Sequence, residues 1–306
     1  MSSGVPAGIT RDYPLSRLTT IRTGGPAELF ARPGTVAELE RVLAWAAGEG
    51  VEVGVVGSGS NLLIADAGVR GLVLKLDQKL TEITVDGTRI DCGGGARLPA
   101  VSAQAARAGL SGIEFGVNIP GTVGGAVRMN ANAYGGELAR ALAWVDVTSA
   151  SGTARRTPDE LGFAYRRSGL RPGEVVARAA FALAPLASEE VKRTLGEMRS
   201  KRRAAQPSGI KTFGSTFKNP SAAEAEGRTA GQLLEAAGAR GLRLGGAAFS
   251  AKHANFVENL GDATTADVVA LMAEGQRLVR ERFGVELEPE VQTLGPVSFP
   301  ADWAGP

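Results

Sequence analysis

The 306-residue chain contains one cysteine, Cys92, and one histidine, His253. A single thiol cannot close an intramolecular disulfide, and one Cys with one His falls short of a zinc cluster. No metal site is therefore expected. Long apolar runs are missing as well. The most apolar stretch, 175–186, is broken by Arg178 and Pro185, so nothing approaches the eighteen residues of a membrane span. The opening Met1-Ser2-Ser3-Gly4 lacks a basic segment followed by an apolar one, the mark of a signal peptide. Charge of one sign is not in excess, since 34 basic residues face 32 acidic ones for a net charge of +2. That balance gives no global field to attract nucleic acid or an anionic membrane. Together these absences predict a cytoplasmic protein without a nucleic-acid or membrane partner; small-molecule ligands and a monomer are the expectation, although no residue pattern encodes the oligomeric state.

What is present is glycine, 42 residues of it, clustered between periodic segments. Glycine costs backbone entropy, so clusters of it imply loops that need unusual conformations or close approach. The length favours two domains. Thr35-Val36-Ala37-Glu38 reads as a capping box opening a helix whose apolar face is Leu39, Val42, Leu43 and Ala46. A strand at 51–56 runs into Gly57-Ser58-Gly59-Ser60-Asn61-Leu62, and a second is expected at 72–76. Asp86-Gly87 marks a hairpin between 80–85 and 89–92. Pro99 opens a helix that stops at Gly109. Strands are expected at 143–148 and 175–183.

After Pro185 the texture changes. A charged helix (188–203), a polar loop (206–220), a helix (229–237), a strand (253–258), a long helix (267–283) and a strand (285–294) follow. The expected organisation is a first domain at 1–187, a second at 188–294 and a fraying tail at 295–306, which holds three prolines. Helices and strands mix without strict alternation, which predicts an α+β fold.

Three segments could carry chemistry. Gly57–Leu62 follows a strand, but Leu62 stands where a dinucleotide fingerprint needs a third glycine, and no Walker lysine follows. Alone it reads equally as a plain strand-to-loop turn or as backbone N–H groups offered to an anion. The stretch 118–130 carries Gly121, Gly124 and Gly125 with Thr122 and Ala126, enough to lay backbone against a flat ring or a pyrophosphate. Gly214-Ser215-Thr216-Phe217-Lys218-Asn219-Pro220 gathers a serine, a lysine and an amide, but no nucleophile elbow surrounds Ser215. Tyr165-Arg166-Arg167-Ser168 offers guanidinium groups to a carboxylate or phosphate, in a chain with many surface arginines. Glu290 would by default be a solvated strand carboxylate.

In order, Arg22–Ala27, Gly57–Leu62, Ile119–Asn130, Tyr165–Ser168, Gly214–Pro220, Lys252–Phe256 and Glu288–Val291 resemble the UDP-N-acetylenolpyruvoylglucosamine reductases, in their shorter subtype. Each segment is weak alone; seven in sequence are specific. The resemblance implies a p-cresol-methylhydroxylase-type FAD-binding domain of two subdomains, followed by a smaller α+β substrate-binding domain. It implies non-covalent FAD, NADPH as reductant and an enolpyruvyl ether of a nucleotide sugar as substrate, in peptidoglycan precursor synthesis. It places FAD against Gly57, Ser58, Gly59, Ser60, Asn61, Leu62, Gly121, Thr122, Gly124, Gly125 and Ala126. Arg166, Ser215 and Glu290 are its catalytic positions, and Tyr165, Lys218 and Asn219 its substrate contacts. A covalently flavinylated oxidase of the wider group is the alternative, for which only His253 and Cys92 could serve. Two departures stand out: Asn132 where the family usually has glycine, and Lys211-Thr212-Phe213 ahead of Gly214. Asparagine tolerates positive φ, so the loop around Asn132 is expected to survive the change.

Overall fold

The computed structural model describes residues 5–300. Its contacts divide the chain into two compact units, each assembled from separated stretches. Among the described residues one unit holds 5–11, 29–58 and 71–202; the other holds 12–28, 59–70 and 203–300.

The first unit is built on a five-stranded antiparallel sheet, ordered Gly152–Arg156, Leu142–Ser149, Val175–Ala182, Arg89–Gly93, Ile83–Asp86. Strand Val175–Ala182 is apolar almost throughout because both of its faces are covered. Val176, Ala179 and Phe181 pack with Leu98, Val101 and Ala105 of helix Leu98–Arg107. Val175 and Ala177 pack on the other side with Leu39, Val42 and Leu43 of helix Val36–Gly48. That helix begins as predicted, with one difference. Thr35 Oγ1 accepts the Glu38 N–H, but the Glu38 carboxylate accepts from Gly34 N–H at 2.8 Å instead of completing the box.

The second unit packs helices Ala230–Ala236 and Thr265–Phe283 with a three-stranded antiparallel sheet, Arg243–Leu244, Ala247–Phe249 and Val257–Asn259. Both helices start in complete capping boxes, Thr229 with Gln232 and Thr264 with Asp267. The long helix ends at Gly284, whose φ of 67° is the left-handed cap that glycine supplies cheaply. Leu62–Ile64 pairs in parallel with Gln292–Leu294, so an early segment of the chain is a strand of this unit.

Three expectations need correction. The strand expected at 253–258 forms later, at Val257–Asn259, because Phe256 N–H closes a turn onto His253 O. The strand expected over 285–294 is regular only at Gln292–Leu294. The tail does not simply fray: Val297 and Phe299 pack on the core of the second unit, and 301–306 lie outside the described residues. The α+β expectation holds. Among the described residues no helix is long and apolar enough to cross a membrane.

One buried ion pair braces the first unit. The Glu174 carboxylate is 6% exposed and accepts from Arg156 Nη1 at 3.0 Å, Arg156 Nη2 at 2.5 Å and Arg171 N–H at 2.8 Å. The Arg156 fork, ahead of the backbone bond, pulls its pKa down to about 2. A carboxyl whose pKa falls on folding contributes stability above its unfolded value and loses it as pH drops through the folded one. Glu174→Gln should therefore lower the urea midpoint at pH 7, by the equivalent of about 1–3 kcal/mol. The gap from wild type should close between pH 4.5 and about 2 in denaturation curves taken across that range.

Candidate functional site

In the first unit the two glycine segments meet. Gly57 has an ordinary φ, but a Cβ there would lie 2.5 Å from Thr122 Oγ1. Glycine at 57 therefore allows the strand end to touch the second segment. Thr122 caps the short helix Val123–Arg128 by accepting the Gly125 N–H at 3.3 Å, and Gly124 N–H donates to Gly94 O at 2.7 Å. Gly57, Thr122, Gly124 and Gly125 line one cavity with Lys75 and Arg128.

Glycines 121 and 125 lack any such reason. Neither has a positive φ, and an added Cβ would meet only ordinary contacts, at 3.7 Å for Gly121 and 3.5 Å for Gly125. A glycine that its own fold does not require leaves a cradle that a side chain would fill. Gly59 is the opposite case, with φ of 65° and a Cβ position 2.1 Å from Leu18 O, so its glycine is explained within the second unit. Leu62 and Asn61 also have local work there. Leu62 pairs with Gln292, and Asn61 Nδ2 donates to Glu290 O at 3.1 Å.

Sequence reasoning missed Lys75 and Arg128. Lys75 Nζ donates to Gly57 O at 2.5 Å, and burial, then Arg32 and Arg97, push its pKa down. Arg128, also held below its ordinary value by burial, donates to Glu174 O at 3.0 Å. The available signal was the apolar run Leu72–Leu76, in which a lone lysine has to find a partner.

The second unit brings Ser215 and Glu290 together through their backbones. Segment 215–218 lies between 255–256 and 288–290, bridging Ser215 to Phe256 and Phe217 to Pro289. Thr216 N–H donates to Asn255 O, Glu290 N–H to Thr216 O and Lys218 N–H to Glu288 O, each at 2.8 Å. The buried Asn255 side chain clamps the middle: Phe217 N–H donates to its Oδ1, and its Nδ2 donates to Phe217 O, both at 2.9 Å. Gly214, with φ of 89°, turns the chain into this segment. Lys218 Nζ pairs with Glu288 Oε2 at 2.9 Å, and Asn219 Oδ1 accepts the Ala230 N–H at 3.1 Å.

Tyr165 and Arg166 form the tip of a two-residue turn in the first unit, closed by reciprocal bonds between Ala164 and Arg167 at 3.0 and 3.1 Å. Arg166 has φ of 57°, and its guanidinium lies 5.3 Å from the exposed Tyr165 ring. Asn132 is not left-handed, contrary to the reason offered for tolerating it; φ is positive instead at Asn130, Tyr134 and Gly135. Among the described residues no group of three or more His, Cys, Asp or Glu side chains could hold a metal.

Comparison with known proteins fits these parts together. A family described as FAD binding domain matches residues 27–158, and the C-terminal domain of UDP-N-acetylenolpyruvoylglucosamine reductase matches 206–294. The chain is 44% identical over 292 residues to UDP-N-acetylenolpyruvoylglucosamine reductase 2 of Symbiobacterium thermophilum, covering 95% of this chain and 93% of that one. The chain belongs to the UDP-N-acetylenolpyruvoylglucosamine reductase family. The Rubrobacter xylanophilus reductase is 43% identical over 93% of this chain and 94% of its own. The crystal structure of the reductase from Thermus caldophilus matches with a TM-score of 0.80 at 38% identity, covering 94% of this chain and 98% of that one. An FAD-binding reductase also suits the glycines that the fold leaves unexplained.

Two measurements bear on this geometry. Gly125→Val should leave the melting temperature of the apoprotein within a few degrees yet weaken FAD at least tenfold, read by titrating the apoprotein and following flavin fluorescence. Asn255→Ala strips two buried backbone groups of their partner, which costs about 2–4 kcal/mol. It should lower the melting temperature of the holoenzyme by several degrees in a thermal scan.

Proposed function

We propose that this chain is the NADPH-dependent flavin reductase that converts the enolpyruvyl ether of UDP-N-acetylglucosamine to UDP-N-acetylmuramate. It works as a cytoplasmic monomer in the synthesis of peptidoglycan precursors. The observation that supports the reading is Gly125, where a Cβ would meet only an ordinary contact at 3.5 Å, lining a cavity with Gly57, Gly124, Lys75 and Arg128 in a chain of this family. In this reading 1–187 carries flavin binding, 188–294 carries substrate binding and 295–306 is a terminal extension.

FAD is held without a covalent bond. The Cys92 thiol is buried, donates to Ala179 O and is pushed up to about 12 by burial and then by Asp91, so it is a poor nucleophile. Gly57, Ser58, Gly59, Ser60, Asn61, Leu62, Gly121, Thr122, Gly124, Gly125 and Ala126 are the proposed contacts, with Lys75 and Arg128 as cations for the diphosphate. When bound, FAD relays a hydride from NADPH to the substrate.

The enol ether double bond is electron-rich, so its carboxylate has to be made electron-withdrawing before a hydride can add. Arg166 pairs with that carboxylate and stabilises the charge that grows there; one well-aimed donor is worth about 3 kcal/mol. Glu290, protonated or through a water, donates a second hydrogen bond. Ser215 Oγ delivers a proton to the carbon bearing the ether oxygen. Tyr165, Lys218 and Asn219 hold the substrate. Positive charge from Lys218 is a weak aid to Ser215, because its ammonium is already paired with Glu288.

The half-reactions separate these roles. Ser215→Ala should reduce its flavin with NADPH at close to the wild-type rate. Its reoxidation by the enolpyruvyl substrate should slow about 10²–10⁴-fold, the usual contribution of a general acid, in stopped-flow absorbance. Wild-type rates in both phases would remove Ser215 from the mechanism.

A further inference from the structure

Asn132 has no backbone reason to be asparagine. It sits in an extended pair, Asn132–Ala133 with Gly136–Glu137, and the left-handed residues of that hairpin are Tyr134 and Gly135 at its tip. Its side chain is turned instead toward the turn that carries Arg166. Arg166 Nη1 donates to Asn132 Oδ1 at 3.1 Å, and the carbonyl oxygen of the same residue lies 3.5 Å from the same nitrogen.

Two further bonds join the same pair of segments. Ser168 Oγ donates to Arg128 O at 2.9 Å, and the buried Asn130 donates from Nδ2 to Ala164 O at 3.2 Å. Residues 128, 130 and 132 thus face 168, 164 and 166, so the Arg166 turn lies on a bed of alternate residues. The Asn130 contact holds the turn backbone at Ala164, and the Ser168 side chain ties the residue after the turn to Arg128. The third reaches past the backbone to the guanidinium.

We propose that Asn132 is a positioning residue for Arg166, holding the guanidinium through a neutral oxygen that adds no negative charge beside it. This rests on the role assigned to Arg166 above. An arginine side chain has several rotatable bonds and loses substantial rotamer entropy when it is fixed. An acceptor at Nη1 restricts it before substrate arrives, which is preorganisation. The chemistry of the acceptor matters as much as its place. An amide oxygen accepts the N–H without adding negative charge, whereas a carboxylate at the same place would form a salt bridge that competes with the substrate's. A glycine there would offer only the longer contact from the carbonyl.

The test uses holoenzyme whose flavin has been reduced with dithionite, so NADPH is bypassed. Reoxidation by the enolpyruvyl ether of UDP-N-acetylglucosamine is followed by stopped flow over a range of substrate concentrations. Asn132→Gly should lower the limiting rate about tenfold to a hundredfold, the size of one hydrogen bond to a charged group, with little change in half-saturation. Asn132→Asp, which is isosteric, should raise the half-saturation concentration at least tenfold with flavin content and melting temperature unchanged. A merely structural role would not produce that split. Arg166→Lys serves as the reference. If it slows reoxidation while both Asn132 variants behave as wild type, the positioning role is wrong. If Arg166→Lys itself reoxidises at the wild-type rate, the role of Arg166 fails first.

Discussion

An extended peptide inside a folded unit has to satisfy the N–H and C=O groups it buries, and Thr216 and Phe217 do so without belonging to a regular sheet. Asn255 is the constraint that makes this possible. Its carboxamide imitates a strand edge, giving Phe217 both an acceptor and a donor at 2.9 Å, while its own carbonyl takes the Thr216 N–H. The other edge is completed by 288–290. Three stretches from distant parts of the second unit are thereby locked in register, and Ser215 and Glu290 are held on neighbouring backbones. Neither residue could keep its place if the Phe217 peptide were free to rotate.

The first unit solves a different problem with a different residue. It needs backbone that can come close to itself and to something else, and glycine serves both ends. At Gly57 the close approach is internal, since Thr122 occupies the place of a Cβ. At Gly121 and Gly125 nothing internal fills it. The distinction matters because a glycine cluster in a sequence mixes both kinds. Only the space around each Cβ separates a glycine required by packing from one kept clear for a ligand.

That mixture explains what could be read beforehand. The helices at 36–48, 98–107 and 265–283 and the hairpin at Asp86-Gly87 were legible because capping residues, Pro99, turn residues and apolar periodicity all agree there. The central strand Val175–Ala182 was legible as an apolar run interrupted only by Arg178. What could not be read were pairings without local pattern. Leu62–Ile64 is three residues long and gains its partner from Gln292–Leu294, far along the chain, so no periodicity marks it. Asn61 looked like part of an anion-binding loop, yet its amide supports the backbone of Glu290. Asn255 carried no signal beyond its place in a family motif, because its importance lies in a hydrogen-bond geometry that sequence spacing does not encode.

Charge follows the same logic as backbone. Where an arginine serves architecture, as Arg156 does, it is given a carboxylate, and the pair is strong enough to hold Glu174 ionised down to a pH of about 2. Lys75 and Arg128, at the cavity of the first unit, are placed on backbone carbonyls instead. A carbonyl fixes a cation in space without neutralising it, and the expense of burial outweighs the help that Asp77 gives Lys75 and Glu174 gives Arg128. The expense appears as the lowered pKa of both groups, led in each case by burial. An anion arriving between them would relieve it. Arg166 Nη1 likewise rests on a neutral oxygen, that of the Asn132 amide, at 3.1 Å.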